Sequence, residues 1–350
     1  MVRKTLLLTA VAMCTLGFRP LPAVAIPVFA HRSGLSCQAC HTIVPHLTPF
    51  GEAFLTRGYR LPIDAIRSAF PVAIKANLAY SSEPDGSGLP KAVVDEIELL
   101  AGGSVGRTGS YFAEGYLIDG GRPGSIRDAW YARTIGAVQA TVGQFTLPLP
   151  VDPETFRETS AHLALYDQTV GTNPFHFFDP KQGVSVRTGS NIANATFSAL
   201  VGHDKQSGLP TSGVDRMVSV QATRGSYIAS AYRYDGERRL EDGGDRFWRQ
   251  GLALAYASDR LRVDATLQTG NDAGPGIRSS GGFLQVRYAF GNSLAATVRY
   301  DGTNDTQFAR SLLVGASRRL SRNTRLSIED VIAHTPQTKH ALNAAYLFAY

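Results

Sequence analysis

From Phe70 to the last residue the chain keeps a period of two. Val72, Ile74, Ala76, Leu78 and Tyr80 alternate with Ala73, Lys75, Asn77 and Ala79, and at the far end Leu342, Ala344, Tyr346, Phe348 and Tyr350 share a face. Such alternation gives a strand one apolar face and one polar or small face. Followed along the chain, it predicts sixteen strands, near 71–81, 92–105, 108–119, 125–135, 137–147, 181–189, 191–202, 215–223, 226–235, 246–257, 260–269, 281–290, 293–302, 309–320, 323–333 and 340–350. The connections alternate too. Longer ones fall at 82–91, 120–124, 148–180, 203–214, 236–245, 270–280, 303–308 and 334–339, and tight turns centre on Arg107, Gly136, Ser190, Arg224, Ser258, Gly291-Asn292 and Arg322. Long connections on one side, tight turns on the other and an even number of strands predict an all-β fold. The expected form is a transmembrane antiparallel β-barrel of about 16 strands, with short turns and both termini in the periplasm. Strands of about ten residues suit a tilted crossing of the hydrocarbon layer. A soluble all-β array would alternate as well, so the lengths of the connections are what separate the two.

Composition agrees with many strands and turns. Of 350 residues 35 are Gly, 43% are apolar and only 18% are charged, which excludes general disorder and is low for a soluble enzyme. The longest apolar run, Thr5 to Gly17, is too short to cross a bilayer as a helix. Arg3 and Lys4, the apolar stretch Leu6 to Leu16 and the small residues Ala23-Val24-Ala25 read together as a secretory signal peptide over 1–25, cleaved after Ala25. A membrane anchor is the competing reading, and Arg19, Pro20 and Pro22 argue against it. Cys14 does not make a lipoprotein site, because Met13 is large where a small residue should stand. Removing the leader takes Arg3, Lys4 and Arg19 and no acid, which halves the formal charge of +6. The basic balance therefore points to no nucleic acid. No Walker loop, dinucleotide fingerprint or zincin pattern occurs, and nothing groups Ser, His and Asp into a triad. An enzymatic activity is left open.

The expected mature chain keeps two cysteines, in Cys37-Gln38-Ala39-Cys40-His41, with the spacing of a c-type haem attachment site. Two thiols would bind the haem covalently, and His41 would lie beneath the iron as its proximal ligand. A disulfide, or a zinc site completed by His31 and His46, are the alternatives. Of the three methionines, Met1 and Met13 leave with the leader and Met217 is remote, so Met is nearly excluded as sixth ligand. His31 is the favoured candidate, and His46 is the other. Thr48 as N-cap, Pro49 and Gly58 delimit a short helix, on which Leu47, Phe50 and Phe54 are expected to share a side, facing either haem or a barrel wall. The segment 26–69 is too small to fold without a cofactor or a host surface. The barrel lumen is the obvious host, entered from the periplasmic end, so the domains read as 1–25 signal peptide, 26–69 haem c segment with helical structure and 70–350 barrel.

The connection 148–180 carries Asp152, Glu154, Glu158, His162, Asp167, His176 and Asp179, groups able to attract a cation or a redox partner, though a solvated loop would also carry them. It also holds Phe156, Tyr166, Phe175, Phe177 and Phe178, which would let it fold into the lumen as a constriction.

An alternating strand that ends on an aromatic, here Tyr350, resembles the C-terminal signal of bacterial outer-membrane barrels. The stretch Phe29-Ala30-His31-Arg32-Ser33-Gly34-Leu35-Ser36-Cys37-Gln38-Ala39-Cys40-His41, then Pro45, Leu47-Thr48-Pro49-Phe50-Gly51 and Gly58-Tyr59, followed at once by a barrel, resembles the fused monohaem cytochrome-porins of the bacterial outer membrane. That family includes the outer-membrane iron oxidases. The resemblance implies extracellular electron transfer through one haem c on Cys37 and Cys40 with His41 on the iron. It also implies outer-membrane lipid around the barrel and a periplasmic carrier, such as a soluble cytochrome or cupredoxin, as partner. Fe(II) is one candidate extracellular donor, known for some members only. The barrel is rather short for the family. The competing functions are a solute porin whose haem segment is a plug or redox sensor, and a secreted structural β-protein.

Overall fold

In a computed structural model of the 350-residue chain, the structure describes residues 27–33, 35, 37–41, 47–60, 72–84, 90–149, 159, 161–168, 170, 173, 175–190, 192–201, 213–240, 243–271, 277–304, 310–321, 323–334 and 338–349. The expected leader and its cleavage site lie outside them. Sixteen long strands follow one another: β1 Val72–Pro84, β2 Pro90–Val105, β3 Gly109–Asp119, β4 Ile126–Ile135, β5 Val138–Phe145, β6 Lys181–Gly189, β7 Ala193–Val201, β8 Asp215–Arg224, β9 Tyr227–Leu240, β10 Gly243–Ala257, β11 Leu261–Asn271, β12 Arg278–Phe290, β13 Leu294–Thr303, β14 Arg310–Arg319, β15 Thr324–His334 and β16 Thr338–Ala349. Each pairs antiparallel with its neighbours in sequence, and β1 closes on β16 from Lys75↔Ala349 to Ser81↔Asn343. The barrel is therefore closed, which leaves no sheet edge to be satisfied. A two-residue ladder, Arg122–Pro123, prolongs the β3 end before β4 begins.

All sixteen expected strands are present in the expected order. The largest differences sit at the long connections. β9 and β10 run on through the expected 236–245 loop until Leu240 pairs with Gly243. β5 stops at Phe145, two residues early, because the Asp128 carboxylate accepts the Thr146 backbone N–H at 2.9 Å and the chain then turns inward. Leu147 and Leu149 follow that turn and are buried.

The two faces of the wall are opposite to those of a soluble protein. On β11, Arg262, Asp264, Thr266 and Gln268 are buried, while Leu267 between them is 71% exposed. On β12, Gln285 and Arg287 are buried and Leu284, Val286 and Tyr288 are exposed. The same holds on β1, where Ile74, Leu78 and Tyr80 point out and Ala73 and Asn77 point in. Leaving a Leu or Val in water forgoes about 1.5–3 kcal/mol of burial. With exposed apolar side chains repeated round the barrel, only lipid is a suitable outer solvent. Within the lumen lie two packed bodies, the N-terminal segment and the connection between β5 and β6.

Candidate functional site

The N-terminal segment contains α1 Pro27–Ser33, α2 Cys37–Cys40 and α3 Pro49–Thr56. Thr48 ties the last two together. Its Oγ1 accepts the Gly51 N–H at 3.1 Å, capping α3, and donates to the Ala39 carbonyl at 2.7 Å. Its own N–H donates to the Cys40 carbonyl at 2.9 Å, and His41 pairs with Leu47 in an antiparallel bridge. Pro49 begins the helix as expected, since its missing N–H costs nothing there. A Cβ on Gly51 would stand 2.1 Å from the Cys40 carbonyl oxygen, so only Gly lets α3 lie against the Cys-X-X-Cys turn. The backbone of the expected attachment motif is thus fixed by residues from 47 to 51.

The segment sits at the tight-turn end of the lumen. Arg60 donates to the Thr108 carbonyl at 3.2 Å, in the turn between β2 and β3. Gly58, at φ +66, lies against the side chains of Gln139 and Ser110, at the starts of β5 and β3. α1 packs on β1 and β2, and its Phe29 meets Phe54 at 5.1 Å, Tyr59 at 4.9 Å and Phe112 of β3 at 6.1 Å. Tyr59, itself in the left-handed region at φ 58, stacks on Trp130 of β4 at 5.7 Å. On the opposite side α3 reaches β11, where Glu52 accepts from Arg262 at 3.1 Å. Burial pushes the Glu52 carboxyl above its ordinary value, and the Arg262 guanidinium holds back part of that rise.

The expected ligands stand as follows. Cys37 and Cys40 are separated by one helical turn, and Cys40 and His41 are half-buried. The side chains of Cys37 and of His31, in α1, lie outside the described residues, as does His46 entirely. The expected apolar side of α3 is only partly realised. Phe54 is buried among Phe29 and Tyr59, but Phe50 is 41% exposed, and Leu47 packs instead against the apolar cluster shared by the wall and the β5–β6 connection. The helix is held on two sides, by Phe54 and by Glu52, and Phe50 on its first turn is left open.

That second body is the connection after β5, with the short helix α4 Ala164–Asp167. Leu147, Leu149, Leu163, Leu165, Tyr166, Phe175 and Phe177 are buried against Tyr232, Tyr234, Phe247 and Phe283 of the wall. Arg249 and Arg238 lie over the Phe175 ring at 5.0 and 5.3 Å, and Lys181 at 4.8 Å. Arg238 is held by Asp215 at 2.6 Å, which also accepts the Tyr234 hydroxyl. Further round the wall, Arg299 of β13 donates to Thr159 Oγ1 and to the carbonyls of Ala161 and His162. The connection folds into the lumen as its aromatic content predicts. Of its expected cation-attracting groups, His162, Asp167 and His176 are brought together, and Asp179 faces Lys181 at 4.0 Å. Asp152, Glu154, Glu158 and Phe156 lie outside the described residues. The wall residues that grip the loop, Arg238, Arg249 and Arg299, were not singled out from the sequence. Their signal is their phase, opposite to the outward Leu and Val on the same strands. Trp130 is likewise new; it stacks on Tyr59 and borders the apolar cluster that holds the loop.

An anion-selective porin from Comamonas acidovorans superposes with a TM-score of 0.65 at 12% identity, over 81% of this chain and 99% of that one. The fold is that of the outer-membrane porins. A second porin-fold neighbour, Salmonella typhi OmpF in complex with daunomycin, gives 0.65 at 9% identity over 80% and 97%. The outer-membrane channel DcaP of Acinetobacter baumannii gives 0.56 at 14% over 80% and 96%. No family model matches the sequence, and no curated protein matches it either. The neighbours are covered almost whole while about a fifth of this chain is left over, a share close in length to the part before β1.

Proposed function

We propose that this chain is an outer-membrane electron conduit, exported by its leader, which passes electrons between an extracellular donor or acceptor and a periplasmic carrier. The observation that carries the reading is the position of the Cys-X-X-Cys-His turn within the lumen of a lipid-facing barrel that a second body also fills. The residues present suit a covalent haem c. Cys37 and Cys40 are one helical turn apart, Cys40 and His41 are half-buried, and the Phe50 ring beside them is open. Bound haem c supplies a one-electron couple. Cys37 and Cys40, on the turn that Thr48 ties at Ala39 and Cys40, would carry the haem covalently, His41 and, from α1, His31 would bind its iron, and the two lumen bodies would exclude water. A soluble cytochrome or cupredoxin is the proposed periplasmic partner, and Fe(II) is one candidate extracellular donor.

Denaturing electrophoresis with haem-peroxidase staining tests the first step. Protein made with a haem-attachment system should stain, and Cys37→Ala should abolish the signal. A second reading, a solute porin whose N-terminal segment is a plug or redox sensor, is favoured by the porin fold and its channel neighbours. It predicts steady conductance in planar bilayers that does not depend on haem, whereas a conduit with a filled lumen predicts little.

A further inference from the structure

We infer that the outer wall at the tight-turn end of β7 to β11 holds a binding site for one anionic glycerophospholipid. A furrow of about 690 Å³ lies there, within the size range of small-molecule sites. Strand register sets its floor. Ala193 of β7 pairs with Ala222 of β8, Ala222 with Ala229 of β9, and the row continues through Leu254 of β10 to Ala265 of β11. On three neighbouring strands the outward side chain is thus a single methyl, which lowers the wall over about 10 Å, two strand spacings. One outward position further from the turns, Ala195 and Ala231 flank Val220, and the floor then ends at the exposed pair Phe197 and Val218.

The two banks are fixed by the backbone. Ile192, 72% exposed, bounds one side; its N–H donates to Ser190 Oγ at 3.2 Å, and its carbonyl accepts the Thr223 N–H at 2.7 Å. Leu254 and the cross-strand pair Tyr227 and Tyr256 bound the other, with the two rings 5.2 Å apart. Paired aromatic rings at the end of an outward apolar face mark the level where hydrocarbon gives way to headgroups. Arg224 stands in the same outward row, paired with Tyr227. It lines the furrow, is exposed, and makes no ion pair among the described residues.

An apolar furrow that ends in a cation at the aromatic level has the chemistry of acyl chains below a phosphate. In outer-membrane barrels the short turns face the periplasm, so the leaflet at this height is built of glycerophospholipids. A guanidinium binds phosphate through two N–H donors at once. A headgroup with its own ammonium brings a second cation beside Arg224, whereas a glycerol headgroup does not, so charge selects the anionic lipid. Asp259 and Arg260, both exposed in the neighbouring β10–β11 turn, offset one another. An unfilled furrow forfeits the dispersion contacts of its lining, and flexible acyl chains recover them. Arg318 of β14 is the useful contrast. It stands in an outward row between Leu294 and Leu326, so it has the charge without the furrow.

The site is independent of any haem and is tested without one. The full chain, purified and delipidated in detergent, is titrated with phosphatidylglycerol or phosphatidylethanolamine of identical acyl chains and read by native mass spectrometry. One phosphatidylglycerol per chain should be retained, and more tightly than phosphatidylethanolamine. Arg224→Gln should weaken phosphatidylglycerol about tenfold, the loss of one charge-assisted contact, and remove the preference. Ala229→Leu, which fills the floor with an apolar side chain and leaves the strand intact, should weaken both lipids severalfold. Arg318→Gln should bind as wild type does. Circular dichroism confirms that each variant keeps its strands. Equal retention of the two lipids by wild type, or retention unchanged in Arg224→Gln and Ala229→Leu, overturns the assignment. So does a wild type that runs as an oligomer which Ala229→Leu dissociates, because the furrow then belongs to a second copy of the chain.

Discussion

The two bodies in the lumen are built on opposite plans. The β5–β6 connection, whose described residues include only the short helix α4, is gripped by the wall, through Arg238, Arg249 and Lys181 on Phe175 and through Arg299 on three loop groups. The N-terminal segment instead holds itself together. Thr48 binds Ala39, Cys40 and Gly51, while the wall is met by a patch of aromatic rings and the ion pair Glu52–Arg262. A loop fixed in this way is part of the barrel. A segment tied by its own backbone contacts and resting on the wall leaves Cys40 and His41 only half-buried. Trp130 stacks on Tyr59 of the segment and borders the apolar cluster to which the loop belongs.

The difference can be broken first at the loop. Phe175→Ala removes a fully buried ring and its three cationic neighbours' partner, and about 3–5 kcal/mol of loop packing should go with it. Limited proteolysis should then cut between 150 and 180 and bilayer conductance should rise, while the segment 27–60 stays protected. Equal exposure of both would mean that they pack as one unit. Gly51→Ala attacks the segment's inner knot. Its methyl would overlap a backbone carbonyl, so the Cys-X-X-Cys turn must shift, and haem staining should fall severalfold with the loop unaffected. Thr48→Ala is milder, costing about 1 kcal/mol for the lost cap, and should show as faster hydrogen exchange in α3.

The smallest effect sharpens the docking contact. Burial raises the Glu52 carboxyl despite Arg262, so the docked segment favours the protonated form more than the undocked segment does. Its contribution to docking is full below the ordinary carboxylate pKa and is lost as pH rises through the raised value. Protease sensitivity of residues 27–60 should increase over that window in wild type and stay flat in Glu52→Gln. A wild type that tightens with rising pH would reverse the sign.

Much of this was legible in the sequence. Strict alternation located every strand, because a barrel wall in lipid repeats one simple rule at each position. Thr48, Pro49 and Gly58 located α3, since caps act locally. Phe175 and Phe177 announced an inward loop. The failures are at long range. The expected shared face of Leu47, Phe50 and Phe54 treated α3 as if it had one neighbour, whereas it lies between β11 on one side and an aromatic patch on the other. Which acids and histidines of 148–180 would meet depended on how two loop arms cross, and spacing alone does not encode that. The reach of Glu52 to Arg262, 210 positions away, is of the same kind.

Electron passage across the barrel is tested most directly in sealed vesicles carrying the purified chain, with a membrane-impermeant redox dye inside and an impermeant reductant outside. A conduit predicts that the trapped dye is reduced in vesicles with wild type and not in vesicles with Cys37→Ala and Cys40→Ala. Haem-containing wild type that leaves the dye oxidised, while passing ions through an open pore, would contradict electron conduction and leave a porin.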